Sequence, residues 1–218
     1  MCIRDSFQHD LRKLSESYLK VVRVLAWIGF PLAAVLYFTA PELILLIFGS
    51  QWEASVPVFR ILALSVGVQV VMSTSGSIFQ AAGSTHILFL SGLLSALLNA
   101  GGICLGIFGF RSLDAVAWCI CISFSVNFVQ AYWLMYYRTF RLPWGPFWRK
   151  LASPLLLGVL LWSILWGFDR ILPARELFFT LIAKGVLSLV IWGGYLQLTG
   201  EFNILGRLSA LSGKFFKR

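Results

Sequence analysis

Six stretches of the chain stay apolar for long enough to cross a hydrocarbon core of about 30 Å, which takes roughly 20 residues of helix. The pattern predicts spans over Val24 to Phe48, Val58 to Gln80, Ile87 to Gly109, Leu113 to Tyr137, Leu151 to Phe168 and Leu177 to Leu198, divided by short polar or Gly/Pro-containing breaks. The expected fold is all-α, a polytopic membrane helix bundle of six transmembrane helices. Pro31 and Pro41 each remove a backbone donor from the first span, which is therefore expected to bend. Outside the spans, Phe7, Leu11, Leu14 and Tyr18 recur at helical spacing beside Arg12 and Lys13, and Ile204, Leu208, Leu211 and Phe215 do so beside Arg207 and Lys214. Both segments suit amphipathic helices resting among lipid headgroups, with a solvated tail as the alternative.

Composition strengthens the membrane reading. Of the 218 residues, 59% are hydrophobic and 12% charged, whereas a soluble domain is nearer half apolar and a quarter charged because it must wet its surface. The net charge of +9 fits cytoplasmic loops better than nucleic-acid binding, and no nucleic-acid partner is expected. The basic residues also set the orientation. Arg12, Lys13, Lys20 and Arg23 precede the first span, Arg138, Arg141, Arg149 and Lys150 lie between the fourth and fifth, and Arg207, Lys214, Lys217 and Arg218 follow the sixth. The opposite loops hold only Arg111, Arg170 and Arg175. Both ends are thus expected on the cytoplasmic side, as an even number of spans requires.

Residues 1–6 read Met-Cys-Ile-Arg-Asp-Ser, the translation of a transposon end sequence used in preparing DNA libraries, and are expected to be an artefact of a cut upstream. The expected organisation is then a cytoplasmic interfacial helix over 7–23, four spans over 24–137, a basic cytoplasmic loop over 138–150, two additional spans over 151–198 and a basic tail over 199–218.

Candidate chemistry is sparse. Cys104, Cys119 and Cys121 sit in apolar runs, where a thiol acts as a small hydrophobe, and Cys119 and Cys121 point about 200° apart on a helix. No metal site, cofactor or catalytic constellation is expected, so the chain is not read as an enzyme. The informative residues are polar ones inside spans, expensive in lipid unless they face another helix or a wet cavity. Gln69, Ser73, Ser77 and Gln80 form a stripe along the second span, Ser91, Ser95 and Asn99 along the third, and Ser123, Asn127 and Gln130 along the fourth. Two readings stand: a shared water-filled cavity for a polar solute, or interhelical hydrogen bonding; Gly102-x-x-x-Gly106 adds weight to packing for the third span. Arg60 lies in the first turn of the second span and Lys184 about two turns into the sixth. Either can bind a diphosphate or anionic sugar; the alternative is that they snorkel or pair with Glu53, Asp169 or Glu176.

The stretch Phe48-Gly49-Ser50-Gln51-Trp52-Glu53-Ala54-Ser55-Val56-Pro57-Val58-Phe59-Arg60-Ile61-Leu62-Ala63 resembles the F-G-x-x-W-x-x-A-x-P-x-x-x-I-L-A pattern of bacterial oligosaccharide flippases, in the multidrug/oligosaccharidyl-lipid/polysaccharide exporter superfamily. Ser55 stands where the pattern has Ala. Gln8-His9-Asp10 with Leu14 and Tyr18, Phe30-Pro31-Leu32-Ala33-Ala34, and Gln80-Ala81-Ala82-Gly83 follow the family in order, while Ser84-Thr85-His86 replaces a basic residue many relatives carry. The resemblance implies a fourteen-helix transporter of which these would be the last six spans, flipping undecaprenyl-diphosphate-linked oligosaccharide across the bacterial inner membrane by alternating access. Its implied partners are the lipid-linked substrate, membrane lipids, a missing N-terminal bundle, and a polysaccharide polymerase and glycosyltransferases. A drug exporter of the superfamily, an integral membrane polymerase or ligase, and a non-transporting scaffold are the competing functions. Short outer loops argue against the polymerase, and only the motif favours lipid-linked substrate over drugs.

Overall fold

The computed structural model describes residues 2–171 and 176–199, with side chains from residue 11 onward. Arg175, the tail segment Ile204 to Phe215 and the terminal basic residues lie outside the described residues, as do the side chains of the adapter-like start, Phe7 and His9.

The described residues are helices and their connecting turns, with no strand among them. The order is α1 (Cys2–Phe38), α2 (Ala40–Phe48), a 3-10 turn (Ser50–Ser55), α3 (Val56–Met72), α4 (Ser75–Ala81), α5 (Thr85–Cys104), α6 (Leu113–Leu134), α7 (Gly145–Ile171) and α8 (Leu177–Leu198). α5 and α6 each run into a π-helical turn, Leu105–Phe110 and Met135–Phe140. Each turn ends on a left-handed arginine, Arg111 or Arg141, where a glycine would usually stop the helix. Six helices are long and apolar enough to cross a membrane: Leu11–Phe38, Ser50–Ala81, Thr85–Phe110, Leu113–Phe140, Gly145–Ile171 and Leu177–Leu198. The chain is a multi-pass membrane protein of all-α fold.

The first span differs from expectation. α1 passes unbroken through residues 23 and 24, so 11–23 continues the membrane-length helix and does not form a separate surface helix. Ser15, Tyr18 and Val22 are buried, and Tyr18 and Val22 share a core with Tyr132, Tyr136, Phe140, Phe147 and Leu151 of the fourth and fifth spans. The two prolines differ in that only one accompanies a break in the helix. Pro31 sits inside α1, which is clamped there between α3 and α7. The break comes at Thr39, where Pro41 offers no N–H to the carbonyl of Tyr37 and instead takes a place in the first turn of the new helix α2.

Close approach decides the packing. α1 crosses α3 at Gly29 and Gly67; a Cβ on Gly67 would lie 2.7 Å from the Phe30 ring. α3 packs on α6, α6 on α5, and α7 lies along α1, while α8 joins α2, α7 and α1. A Cβ on Gly102 would meet Ser123 Oγ at 2.7 Å, and one on Gly106 the Val116 Cα at 2.7 Å, which is the small-residue packing expected of that pair. The rest of α5 exposes Phe89, Leu93 and Leu97, a surface suited to lipid.

Gly106→Leu is expected to destabilise the protein by about 1 to 3 kcal/mol, since the obstructing atom is backbone and cannot swing away. Gly92→Ala, with nothing within 4 Å of its Cβ, is expected to be neutral or stabilising through helix propensity. Thermal unfolding midpoints in detergent check both; equal midpoints for Gly106→Leu and the wild type would remove the close contact.

Candidate functional site

The break after α1 leaves carbonyls at a helix end inside the bundle, where each needs a donor. Lys184 of α8 supplies one. Its Nζ donates to the Phe38 carbonyl at 2.7 Å and to Glu42 Oε1 at 2.6 Å, and lies 2.8 Å from Asp169 Oδ1. Two of the three ammonium N–H groups are used in hydrogen bonds, and Asp169 adds an ion pair. Its charge also suits the site: it stands at the carbonyl end of α1, while Glu42 occupies the first turn of α2, where the helix dipole favours an anion. Lys184 and Glu42 are each only 2% exposed, whereas Asp169 keeps one third of its side chain accessible. Of the partners expected for Lys184, Asp169 is the one found. Glu42 is not among those expected partners, although an acidic residue inside an apolar run signals a buried partner or a functional site.

Asp169 also borders a pocket of about 420 Å³ with Tyr37, Phe38, Arg60, Trp162, Trp166 and Arg170. The Arg60 guanidinium lies over the Tyr37 ring at 5.7 Å and that of Arg170 over Trp166 at 4.9 Å. Arg60 Nε is buried without a hydrogen-bond partner, and neither arginine has a carboxylate within ion-pairing distance among the described residues. Arg60 and Lys184 are thus brought to one end of the bundle: Lys184 pairs with Asp169, which lines the same pocket as Arg60.

The polar stripes separate into two kinds. On α5 and α6 they bridge helices: Ser123 Oγ donates to the Leu98 carbonyl at 3.1 Å and Gln130 Nε2 to Ser91 Oγ at 3.3 Å. Asn99 bonds back to Ser95, and Asn127 is buried. The amide oxygens of Asn99, Asn127 and Gln130 are buried without a partner, leaving acceptors unfilled at this interface. On the second span the result is the opposite. Gln69, Ser73, Ser77 and Gln80 are all exposed. Gln69 bonds to Ser65 one turn back, Ser73 to the Val70 carbonyl and Ser77 to that of Thr74, so no other helix uses them. Arg60, nine residues before Gln69, points half a turn away from this face. The stripe and the arginine pocket are therefore separate.

A second break, at Ser73 and Thr74 between α3 and α4, was not foreseen. The Tyr132 hydroxyl donates to the Val71 carbonyl at 3.0 Å and pairs with the Tyr18 hydroxyl at 2.9 Å. Since Tyr132 gives its hydrogen to Val71, Tyr18 is the donor to Tyr132. One buried relay thus joins the first, second and fourth spans.

Comparison with known proteins adds the context. Residues 5–57 match a family described as polysaccharide biosynthesis protein. The chain is 30% identical over 156 residues to the teichuronic acid biosynthesis protein TuaB of Bacillus subtilis, covering 71% of this chain and 32% of that protein. It is 28% identical over 207 residues to the succinoglycan biosynthesis transport protein ExoT of Rhizobium meliloti, covering 92% of this chain and 40% of that one. No solved structure matches the chain. It therefore spans well under half the length of these relatives. Kinship with polysaccharide biosynthesis and transport proteins, implied by the 48–63 motif, is borne out.

Removing the lysine charge tests the ion cluster. Lys184→Met strands Glu42 in the interior and is expected to destabilise by about 3 to 5 kcal/mol. Adding Glu42→Gln is expected to recover most of the loss. A double variant as unstable as the single one, by thermal unfolding in detergent, would show that the pair is not coupled.

Proposed function

We propose that the chain, as a relative of polysaccharide biosynthesis and transport proteins, forms the last six helices of a transporter that moves undecaprenyl-diphosphate-linked oligosaccharide across the bacterial inner membrane. The observation that carries this reading is the exposed row Gln69, Ser73, Ser77 and Gln80. Polar side chains along a span, unused by any neighbouring helix, suit the wall of a wet cavity completed by a second bundle. Such a cavity would pass a sugar headgroup while its lipid tail stays in the bilayer. The ExoT relative, described as a transport protein, supports the same direction.

In this reading the second bundle rocks against these helices to open the cavity to either side. α5 and α6, locked by Ser123 and Gln130, move as one body. The polar face changes partners and therefore holds no fixed interhelical bond. The step is transport without covalent chemistry, so no catalytic group or cofactor is required. Both ends of the chain lie in the cytoplasm, as the basic residues of α1 and of the loop after α6 favour. A polysaccharide polymerase and glycosyltransferases of the same route are its working partners.

Cysteines at Ser73 and Ser77, in a background freed of native cysteines, are expected to react with a membrane-impermeant thiol reagent in the intact transporter. A cysteine at Leu97, on the apolar face of α5, is expected not to. Equal silence at all three positions would sink the cavity. Deleting the gene is expected to accumulate lipid-linked repeat units on the cytoplasmic leaflet; drug sensitivity without that accumulation would favour a drug exporter.

A further inference from the structure

The arginine pocket adjoins a second cleft. Below it, between the same three helices, lies an apolar cleft of about 250 Å³ bordered by Phe30, Leu64, Leu155, Gly158 and Val159, and Trp162 lines both spaces. The upper part carries two guanidinium groups on aromatic rings, and the lower part is almost wholly hydrocarbon. Along α7, Arg170 and Leu155 are 15 residues apart, about 22 Å at the helical rise. That is close to the depth of one leaflet, headgroup region included, in a bilayer roughly 40 to 45 Å thick overall.

From this shape we propose that the groove between α1, α3 and α7 binds an anionic glycerophospholipid, its phosphate at Arg60 and Arg170 and an acyl chain in the cleft below Trp162. Charge complementarity supports this occupant. Asp169 faces the pocket, but its charge is already engaged by Lys184, itself paired with Glu42. With Arg60 and Arg170 added, the five groups leave one net positive charge. Guanidinium is well suited to phosphate, which accepts two parallel N–H bonds from it, and Arg60 has a buried N–H with no protein acceptor. Position supports it too. The groove lies half a turn around α3 from the Gln69 stripe, and its lower rim at Val159 is exposed on the apolar outer surface of the helices. A lipid seated there would brace α7, and with it α8, against the first two spans. The inference needs only membrane residence and is independent of what the protein transports.

Native mass spectrometry of the purified chain in detergent tests it. With phosphatidylglycerol and phosphatidylcholine at equal concentration, phosphatidylglycerol is expected to be retained on the order of tenfold more strongly. The double variant Arg60→Gln, Arg170→Gln is expected to lower its retention to the phosphatidylcholine level. Val159→Trp, at an exposed position on the rim of the cleft, is expected to lower it with both arginines in place; this arm carries the test if the arginine variant does not fold. Equal retention of the two lipids, or no loss in the arginine variant, would overturn the site. Unchanged retention in Val159→Trp would overturn the acyl-chain seat and leave a bare phosphate contact. Full displacement of phosphatidylglycerol by equimolar polyprenyl phosphate would overturn the phospholipid in favour of the carrier lipid.

Discussion

An interrupted helix inside a membrane must find donors for the carbonyls it releases, because lipid supplies none. The first two spans of this protein are each interrupted, after Phe38 and after Met72. At the first break the donor is Lys184, reaching the Phe38 carbonyl from the last helix; at the second it is Tyr132, reaching the Val71 carbonyl from the fourth span. Each break is thus a joint between distant parts of the sequence. The tertiary structure is assembled around those joints as much as around the glycine crossings at Gly67 and Gly106.

The lysine joint carries a burden that the tyrosine joint does not. A full charge in the interior needs a counter-charge, which brings in Glu42 from the short helix after the break and Asp169 from the end of α7. A buried ion pair gains little over a well-packed apolar core, but losing one partner is severe. The arrangement therefore specifies position more than it adds stability. It holds the last two helices in one register against α1 and α2, and it engages the charge of Asp169 beside the Arg60 and Arg170 pocket. Without Lys184, Asp169 would lose its ion pair at the wall of that pocket.

The polar residues inside the spans follow the same accounting of partners. α5 and α6 are held together by serine and amide bonds and by the small residues Gly102 and Gly106. The face of α3 and α4 that bears Gln69, Ser73 and Ser77 makes bonds only within its own helix. One pair of helices is closed to further partners, while one face stays open to them. That asymmetry separates a face used in packing from one that no described helix uses, and the proposed transport role rests on the second.

Hydrophobic run length and composition alone determined that the chain is helical, that it sits in a membrane and that it has six spans, because the thickness of hydrocarbon fixes how many apolar residues a crossing takes. The Trp52 and Pro57 motif was enough to reveal kinship with polysaccharide biosynthesis proteins, since short-range spacing survives in sequence. Local rules also placed a distortion near Pro41. They did not say that α1 would continue unbroken past Pro31, that residues 11–23 would join the bundle, or that a break would open at Thr74. Those outcomes depend on neighbours that clamp or complete the helix from elsewhere in the chain. Only the tertiary structure decided that Lys184 meets Glu42 across 142 residues, that Ser123 and Gln130 are used in packing, and that Gln69 and Ser73 are not. A side chain's type states which bonds it can make; which it does make is settled by the surface brought against it.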